Sequence, residues 1–368
     1  MSSTRIGFLA TGSEIINGEI LNVDAQKMAQ QMLEHGITVG EHVVTDDHYD
    51  NLRAGFEFLL QRHDAVITTG GLGPTSDDIT RNIIADVTGQ ELKFDEASWH
   101  HILDRFKERD IPITDNNKQQ CYFPASASVI TNINGSANAC FLEHHGKLIF
   151  MLPGPPRECI PIFEAEVLPR LLKAGFGSNL QLYRWKLMGI GESTIAEQLE
   201  AKVGQPMKVE IAYRASFPYC DIKLMLDKTQ DNSKISNAIS NIVKPYLVST
   251  DGEMASFHLK QHIVKQKQHI YIFDQATRGA LEKALMSPET QKYLHFVESQ
   301  VQDKPFIHLN EFKAYWESSS DKTTAPFSVM IDTEIYQANP PLRGEETLNF
   351  SVEFTCHHIN QQIFGAIS

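Results

Sequence analysis

Val66-Ile67-Thr68-Thr69-Gly70-Gly71-Leu72-Gly73-Pro74-Thr75-Ser76-Asp77-Asp78 passes from a β-branched run into a glycine turn and then into residues that open helices. Strand, glycine turn and helix start together make a phosphate-binding layout. Glycines let the main chain approach an anion closely, and the free N–H groups at the positive end of the helix favour negative charge. The spacing is neither G-x-G-x-x-G nor a Walker A sequence, so a nicotinamide enzyme and an ordinary P-loop ATPase are disfavoured. The same residues also allow a purely structural reading, in which Ser76 or Asp77 caps a helix and the glycines turn the chain.

Working outward, strand-like runs at Ile6 to Ala10, Ile37 to Val44, Ala65 to Thr69 and Leu148 to Leu152 alternate with helical patterns. A helix over Ala25 to Glu34 carries Met28, Ala29, Met32 and Leu33 on one face, a second carries Leu52, Phe56, Leu59 and Leu60, and a third carries Ile79, Ile83, Ile84 and Val87. A fourth runs from Ser98 to Glu108, and Asp110 to Gly146 reads as a long irregular stretch. This order predicts an α/β domain of three α/β/α layers.

After Gly175 the pattern changes. A strand (Leu182 to Met188), a helix (Ser193 to Ala201), two strands (Lys208 to Tyr213, Tyr219 to Leu226) and a helix (Ser233 to Val243) predict a small α+β module. From Phe257 a helix, a strand at His269 to Phe273, a helix at Thr277 to Leu285 and strand-like runs at Phe327 to Asp332 and Leu348 to Phe354 predict another α/β domain. The expected domains span 1–173, 174–252 and 253–368.

Acidic residues gather where strands end. Asp77 and Asp78 stand beside the expected phosphate and would repel it unless a divalent cation lies between them, so a magnesium-like ion is inferred. Their alternative role is to favour the helix N-terminus electrostatically. Glu14 follows the first strand and Asp46 the second, and carboxyl ends of parallel strands converge on the ligand crevice of open α/β sheets. Arg157 and Glu158 follow Leu152-Pro-Gly-Pro-Pro, where Arg157 could pair with phosphate or with the adjacent acid.

Bulk properties narrow the field. A chain of 368 residues, 42% of them hydrophobic, can bury more than one core. Its formal charge of −13 disfavours a general nucleic-acid or anionic-membrane surface, so neither nucleic acid nor membrane is expected as a partner. The five cysteines, with no C-x-x-C pair, suggest neither a disulfide framework nor a zinc site. No signal peptide or membrane span is read, and a cytoplasmic location is expected. The histidine pairs His100-His101, His144-His145 and His357-His358 are read as surface or core residues, because neighbours in sequence point different ways.

Thr11-Gly-Ser-Glu-Ile-Ile-Asn-Gly-Glu-Ile20, Thr69 to Thr80, Asn117-Lys-Gln119, Leu152 to Glu158 and Gly189-Ile-Gly-Glu-Ser193 together resemble the CinA family of competence/damage-inducible proteins, whose N-terminal domain is of the molybdopterin-binding (MoCF) type. The resemblance implies a MoCF-like domain, a KH-like module and a C-terminal nicotinamide mononucleotide deamidase-like domain, with a homodimer as a family-level expectation. It also implies metal-dependent ADP-ribose pyrophosphatase activity, giving AMP and ribose 5-phosphate, with magnesium or cobalt as the metal. On that basis Gly70, Gly71, Gly73, Thr75 and Ser76 contact phosphate, and Lys118 and Arg157 neutralise it. Asp77 and Asp78 bind metal, and Glu14, Asp46, Asp78 and Glu158 are catalytic. The alternative is a non-catalytic molybdopterin-type or nucleotide binder on the same fold.

Three departures from that pattern stand out. Gly135-Ser-Ala-Asn-Ala-Cys140 replaces a Gly-Thr-Ala-Pro-Gly run, with Ala139 at the second glycine. Asp274-Gln-Ala-Thr-Arg-Gly279 stands where the deamidase carries its serine nucleophile, so the third domain is expected to be inactive. Gly189-Ile-Gly191 lacks the Gly-x-x-Gly with which a KH domain grips RNA.

Overall fold

The computed structural model describes residues 5–110, 112–299, 305–310, 312–317 and 323–365. Ile111, inside the expected irregular stretch, and both chain ends of the expected domains lie outside the described residues. The chain divides into two compact units, Met1–Gln181 and Leu182–Ser368.

In the first unit the strands are β1 (Ile6–Thr11), β2 (Val39–Thr45), β3 (Ala65–Thr69), β4 (Leu92–Phe94), β5 (Tyr122–Pro124), β6 (Ser128–Ile130), β7 (Ala139–His144) and β8 (Lys147–Leu152). Six of them form one sheet in the order β2-β1-β3-β8-β7-β6, while β4 and β5 pair separately. β2, β1, β3 and β8 are parallel, and β7 and β6 continue the sheet antiparallel. The helices are α1 (Ser13–Ile16), α2 (Val23–Glu34), α3 (Tyr49–Arg62), α4 (Thr80–Val87), α5 (Glu96–Glu108), α6 (Pro156–Ile162) and α7 (Leu168–Lys173).

The alternation of side chains along these strands decides the layers. Ile6, Phe8, Ala65, Ile67, Phe150 and Leu152 face Met28 and Met32 of α2 and Ile162 and Leu171 of α6 and α7. Leu9, Val66, Ile149 and Met151 face Phe56 and Leu59 of α3 and Ile83 and Ile84 of α4. Two apolar cores on opposite faces of one sheet make the expected three-layer α/β/α arrangement.

The expected irregular stretch is more ordered than its sequence suggests. It holds a 3₁₀ turn at Asp115–Cys121 and three strands, β5, β6 and β7. β7 lies inside the main sheet with Ala139, Cys140 and Leu142 buried. Its apolar run is short and bounded by Ser, Asn and Gly, so local pattern reads as loop while tertiary pairing makes it strand.

The second unit carries two sheets. β9 (Leu180–Met188), β10 (Ile211–Ser216), β11 (Tyr219–Asp227) and β12 (Leu247–Ser249) form a four-stranded sheet, ordered β10-β11-β9-β12. Its core includes Ile195 and Leu199 of α8 (Glu192–Leu199), while Gln205–Met207 is a single turn, α9. Ile239 and Val243 of α10 (Ser233–Val243) complete that core.

The other sheet is β14-β13-β15-β16-β17, with β13 (Ile270–Asp274), β14 (Leu294–Phe296), β15 (Phe306–Leu309), β16 (Phe327–Ile331) and β17 (Glu334–Ala338). The helices of this region are α11 (Ala255–Gln266), α12 (Ala280–Leu285), α13 (Lys313–Trp316) and α14 (Glu345–Phe364).

Leu348 to Phe354, expected as a strand, lies within α14. Leu-Asn-Phe-Ser-Val-Glu-Phe alternates with the period of a strand, but the helix places Phe350, Glu353, Cys356 and Asn360 at helical spacing against α11. There Ser256 Oγ donates to Glu353 at 2.6 Å, and Asn360 Nδ2 donates to the Ala255 carbonyl at 2.9 Å. Its polar buried residues pair across the helix interface, which strand periodicity cannot reveal.

Candidate functional site

Four parallel strands bring their carboxyl ends level. Thr11 pairs with Thr45, Ala10 with Thr69, and Thr69 with Leu152. The strand order reverses about β1, and such a switch point opens a crevice between the departing loops. A cavity of about 650 Å³ lies there, lined by the segments after β1, β3 and β8 and by the first turn of α2.

The glycine loop is held from behind. Thr80 Oγ1 donates to the Gly70 carbonyl at 3.0 Å, the Thr80 N–H donates to the Gly71 carbonyl at 3.2 Å, and Arg81 Nη1 donates to the Leu72 carbonyl at 3.0 Å. In a trans peptide the C=O and the following N–H point in opposite directions. The N–H groups of Gly71, Leu72 and Gly73 therefore aim away from Thr80 and Arg81, towards the cavity that these three residues line. None of the three has an acceptor among the described residues. Successive free N–H groups of this kind form an anion nest.

Glycine is required here on geometric grounds. Gly70 (φ 95°) and Gly71 (φ 66°) occupy left-handed backbone, and a Cβ at Gly71 would lie 2.1 Å from Thr80 Oγ1. Arg81, 1% exposed, also donates to the carbonyls of Gly73 and Gln119 at 3.4 Å. Burial lowers its pKa, with Asp78 and two cysteines acting the other way.

Six carboxylates line the cavity: Glu14, Asp24, Asp47, Asp77, Asp78 and Glu158. Among the described residues, no lysine or arginine does. Asp78 Oδ2 accepts from the Thr75 N–H at 2.9 Å and from Thr75 Oγ1 at 2.6 Å, closing the turn that begins α4. Asp77 beside it is exposed. Glu158 is buried and accepts from Asn132 Nδ2 at 2.8 Å.

Asp46, singled out from the sequence, lies ahead of α3 and accepts from the His48 N–H at 3.3 Å and from Asn51 Nδ2 at 2.9 Å. The Asn51 bond lowers its pKa. Its neighbour Asp47 lines the cavity instead, taking Thr11 Oγ1 at 2.7 Å and the Ser13 N–H at 2.9 Å. Which of two consecutive acids turns inward depends on the register of β2 against β1, so the pair Asp46-Asp47 was legible and the choice was not.

Lys118 and Arg157 lie outside the cavity lining. Lys118 pairs with Asp115 at 3.1 Å and stands over the Trp99 ring, while Arg157 Nε is 3.8 Å from Glu158 Oε1. From the same Asn117-Lys-Gln119 stretch it is Gln119 that reaches the loop, donating to the Thr75 carbonyl at 2.8 Å and the Asp78 carbonyl at 3.1 Å. Thr75 and Ser76 flank the cavity without lining it. Ala139 is fully buried in β7, in the core on the α2 face, and Ser136 and Ala137 are the residues of its run that line the cavity.

In the second unit, the segment after β13 is a closed turn. Asp274 Oδ1 accepts from the N–H groups of Ala276 and Thr277 at 2.9 and 2.8 Å, delaying α12 to Ala280. The Gln275 carboxamide is within 2.8 Å of His308 Nε2, and Trp316 Nε1 donates to the Ala276 carbonyl at 2.6 Å. All five cysteines are free and buried. No helix among the described residues is long and apolar enough to cross a membrane.

Residues 7–173 match the family described as "Probable molybdopterin binding domain". A competence-damage inducible protein of Clostridium novyi is 41% identical over 190 residues, covering 51% of this chain and 45% of that protein. One from Caldicellulosiruptor bescii is 40% identical over 316 residues, covering 83% of this chain and 74% of its own length. The solved structure of CinA from Thermoplasma acidophilum, a protein of unknown function, is 28% identical over 46% of this chain and 99% of that one, with a TM-score of 0.43. The chain thus spans about half the length of the first relative.

Proposed function

The chain belongs to the CinA-like family of competence-damage inducible proteins, and from that footing we propose that its N-terminal domain is a divalent-metal-dependent hydrolase of a nucleotide diphosphate. ADP-ribose is the substrate we assign, with AMP and ribose 5-phosphate as products. One observation carries the proposal: among the described residues, three free N–H groups of an anion nest open onto a cavity lined by six carboxylates and no basic side chain. An anion bound there needs a cation beside it.

The residues suit a magnesium-like ion. No group of three or more His, Cys, Asp or Glu among the described residues is gathered to hold a metal unaided. Magnesium commonly takes one or two carboxylates and completes its shell with phosphate oxygens and water. Asp77 and Asp78 would supply those carboxylates, Asp78 through the oxygen that Thr75 leaves free. When bound, the cation offsets the charge of the diphosphate and makes phosphorus more electrophilic.

The chain's own groups do the rest. Gly71, Leu72 and Gly73 orient one phosphate through their N–H groups, and the buried Arg81 adds positive potential from behind the loop. Glu158, fixed by Asn132, orients the attacking water and takes its proton. Asp47 holds the Thr11-Gly12-Ser13 turn, which positions Glu14 at the cavity wall. In the third domain we propose that deamidation of nicotinamide mononucleotide is lost, since Gln275 replaces the nucleophile and Asp274 is spent on its own turn.

A second reading is favoured by the matched domain description. The nest would equally cradle the phosphate of a pterin, with no hydrolysis. AMP release from ADP-ribose, measured with and without magnesium or cobalt and with Asp78→Ala as control, separates the two. Metal-dependent turnover that the variant loses supports the hydrolase. Tight pterin binding with no turnover reverses the ranking.

A further inference from the structure

The nest accounts for one end of the cavity, and the first turn of α2 forms another wall. Here Asp24 is 6% exposed and is among the residues that line the cavity, and its buried Oδ1 has no hydrogen-bond partner. Asn22 caps α2 by accepting from the Ala25 N–H at 3.3 Å, so Asp24 is not needed for that purpose. A buried carboxyl oxygen without a donor is costly, and protein structures rarely leave one so.

Just before it, Ile20 and Leu21 are 50% and 83% exposed, and both line the same cavity with half-buried Val23. Apolar side chains held open beside an unsatisfied acceptor fit a flat ring that carries a hydrogen-bond donor on its edge. A phosphate fits neither feature, because it is an acceptor and an anion. The cavity, about 650 Å³, is in the range that holds a ligand larger than a diphosphate alone.

We propose that Ile20, Leu21, Val23 and Asp24 form the base subsite of this cavity, where the Asp24 carboxyl accepts the exocyclic amino group of a fused nitrogen heterocycle. This rests on the phosphate reading of the glycine loop. Adenine and the 2-amino-oxo edge shared by guanine and pterin both offer that amino group. Burial raises the Asp24 pKa to about 6, and Lys27 on the same helix lowers it. A carboxyl near the balance of its two forms can pair with either edge, accepting two bonds when ionised and accepting one while donating one when neutral.

The test is calorimetric binding of ribose 5-phosphate, AMP, GMP and IMP to the full chain with magnesium. IMP keeps the ribose and phosphate but lacks an exocyclic amine. The expected result is AMP or GMP binding at least tenfold more tightly than IMP, a gap that Asp24→Ala abolishes while ribose 5-phosphate affinity stays constant. The tighter of AMP and GMP identifies the edge. Asp24→Asn, which keeps the shape and one acceptor, should retain part of the gap and shows that the site still folds. Equal affinity for IMP, AMP and GMP in the wild type overturns the proposal. So does an equal loss of ribose 5-phosphate and AMP affinity in Asp24→Ala. If ribose 5-phosphate and every nucleotide fail to bind, the phosphate reading falls and takes this subsite with it.

Discussion

Gly135 and Glu158 compete for the same space: a Cβ at position 135 would lie 1.9 Å from Glu158 Oε2 and 2.5 Å from Asn132 Nδ2. The glycine is what lets a buried carboxylate sit under the 132–138 loop. Gly135→Ala should push Glu158 off Asn132 and cost about 1–3 kcal/mol of stability through overpacking. If Glu158 takes the proton of the attacking water, turnover falls further than stability explains. A variant with wild-type melting and wild-type turnover would show that the loop relaxes freely.

Arg81 is the second test. Arg81→Met removes the donor to Leu72 and releases the carbonyls that set the loop. We expect affinity for inorganic pyrophosphate to drop about tenfold, near 1.4 kcal/mol, with stability falling by a few kcal/mol. Arg81→Lys keeps the charge but cannot span three carbonyls, so it should fall between wild type and Met. Titration calorimetry on folded variants decides this, and unchanged pyrophosphate affinity in the Met variant would remove Arg81 from the site.

Asp46 and Asp47 offer an internal comparison. Asp47→Asn weakens the bonds to Thr11 and Ser13 and should lower turnover at least several-fold. Asp46→Asn keeps an oxygen that accepts from the His48 N–H and lies outside the cavity lining, so turnover should stay near wild type. Kinetics that rank the two variants in the opposite order would contradict the geometry.

How far the sequence led depends on how local the determining interaction is. Val66 to Thr69 and the glycines after them declare strand and turn through their own backbone preferences, so this part of the site was readable. Arg81 was not, because a charged residue on a helix of Ile79, Ile83 and Ile84 looks like a solvated one. Its partners are loop carbonyls and the Gln119 carbonyl, 38 residues away. The strand expected at Leu348 to Phe354 failed for a related reason. Its alternation is real, but Glu353 and Asn360 find their partners on another helix.

Acidification should weaken the second unit. Burial lowers the pKa of His357 and of His358 from 6.5 to about 4. Both groups bind protons more tightly when unfolded, so the stability they contribute is complete above pH 6.5 and is lost as pH falls towards 4. Tyr336 and Phe354 pack on the His358 ring, and His357 is its ionisable neighbour. The melting temperature of the isolated transition should drop by several degrees between pH 7 and pH 4.5, and His357→Leu with His358→Leu should flatten that slope. A wild-type profile without slope in this interval would show that the rings are hydrated.

The receptor proposed for phosphate consists of main-chain amides whose direction is set by Thr80 and Arg81. A side-chain substitution at Leu72 leaves its amide in place, so alanine scanning along the loop would underreport the site. Leu72, 2% exposed, is held by its side chain for core packing, whereas Thr80 and Arg81, which do not line the cavity, are held for the direction of the amides. Loss of binding in a natural variant should therefore be sought first in the opening turn of α4.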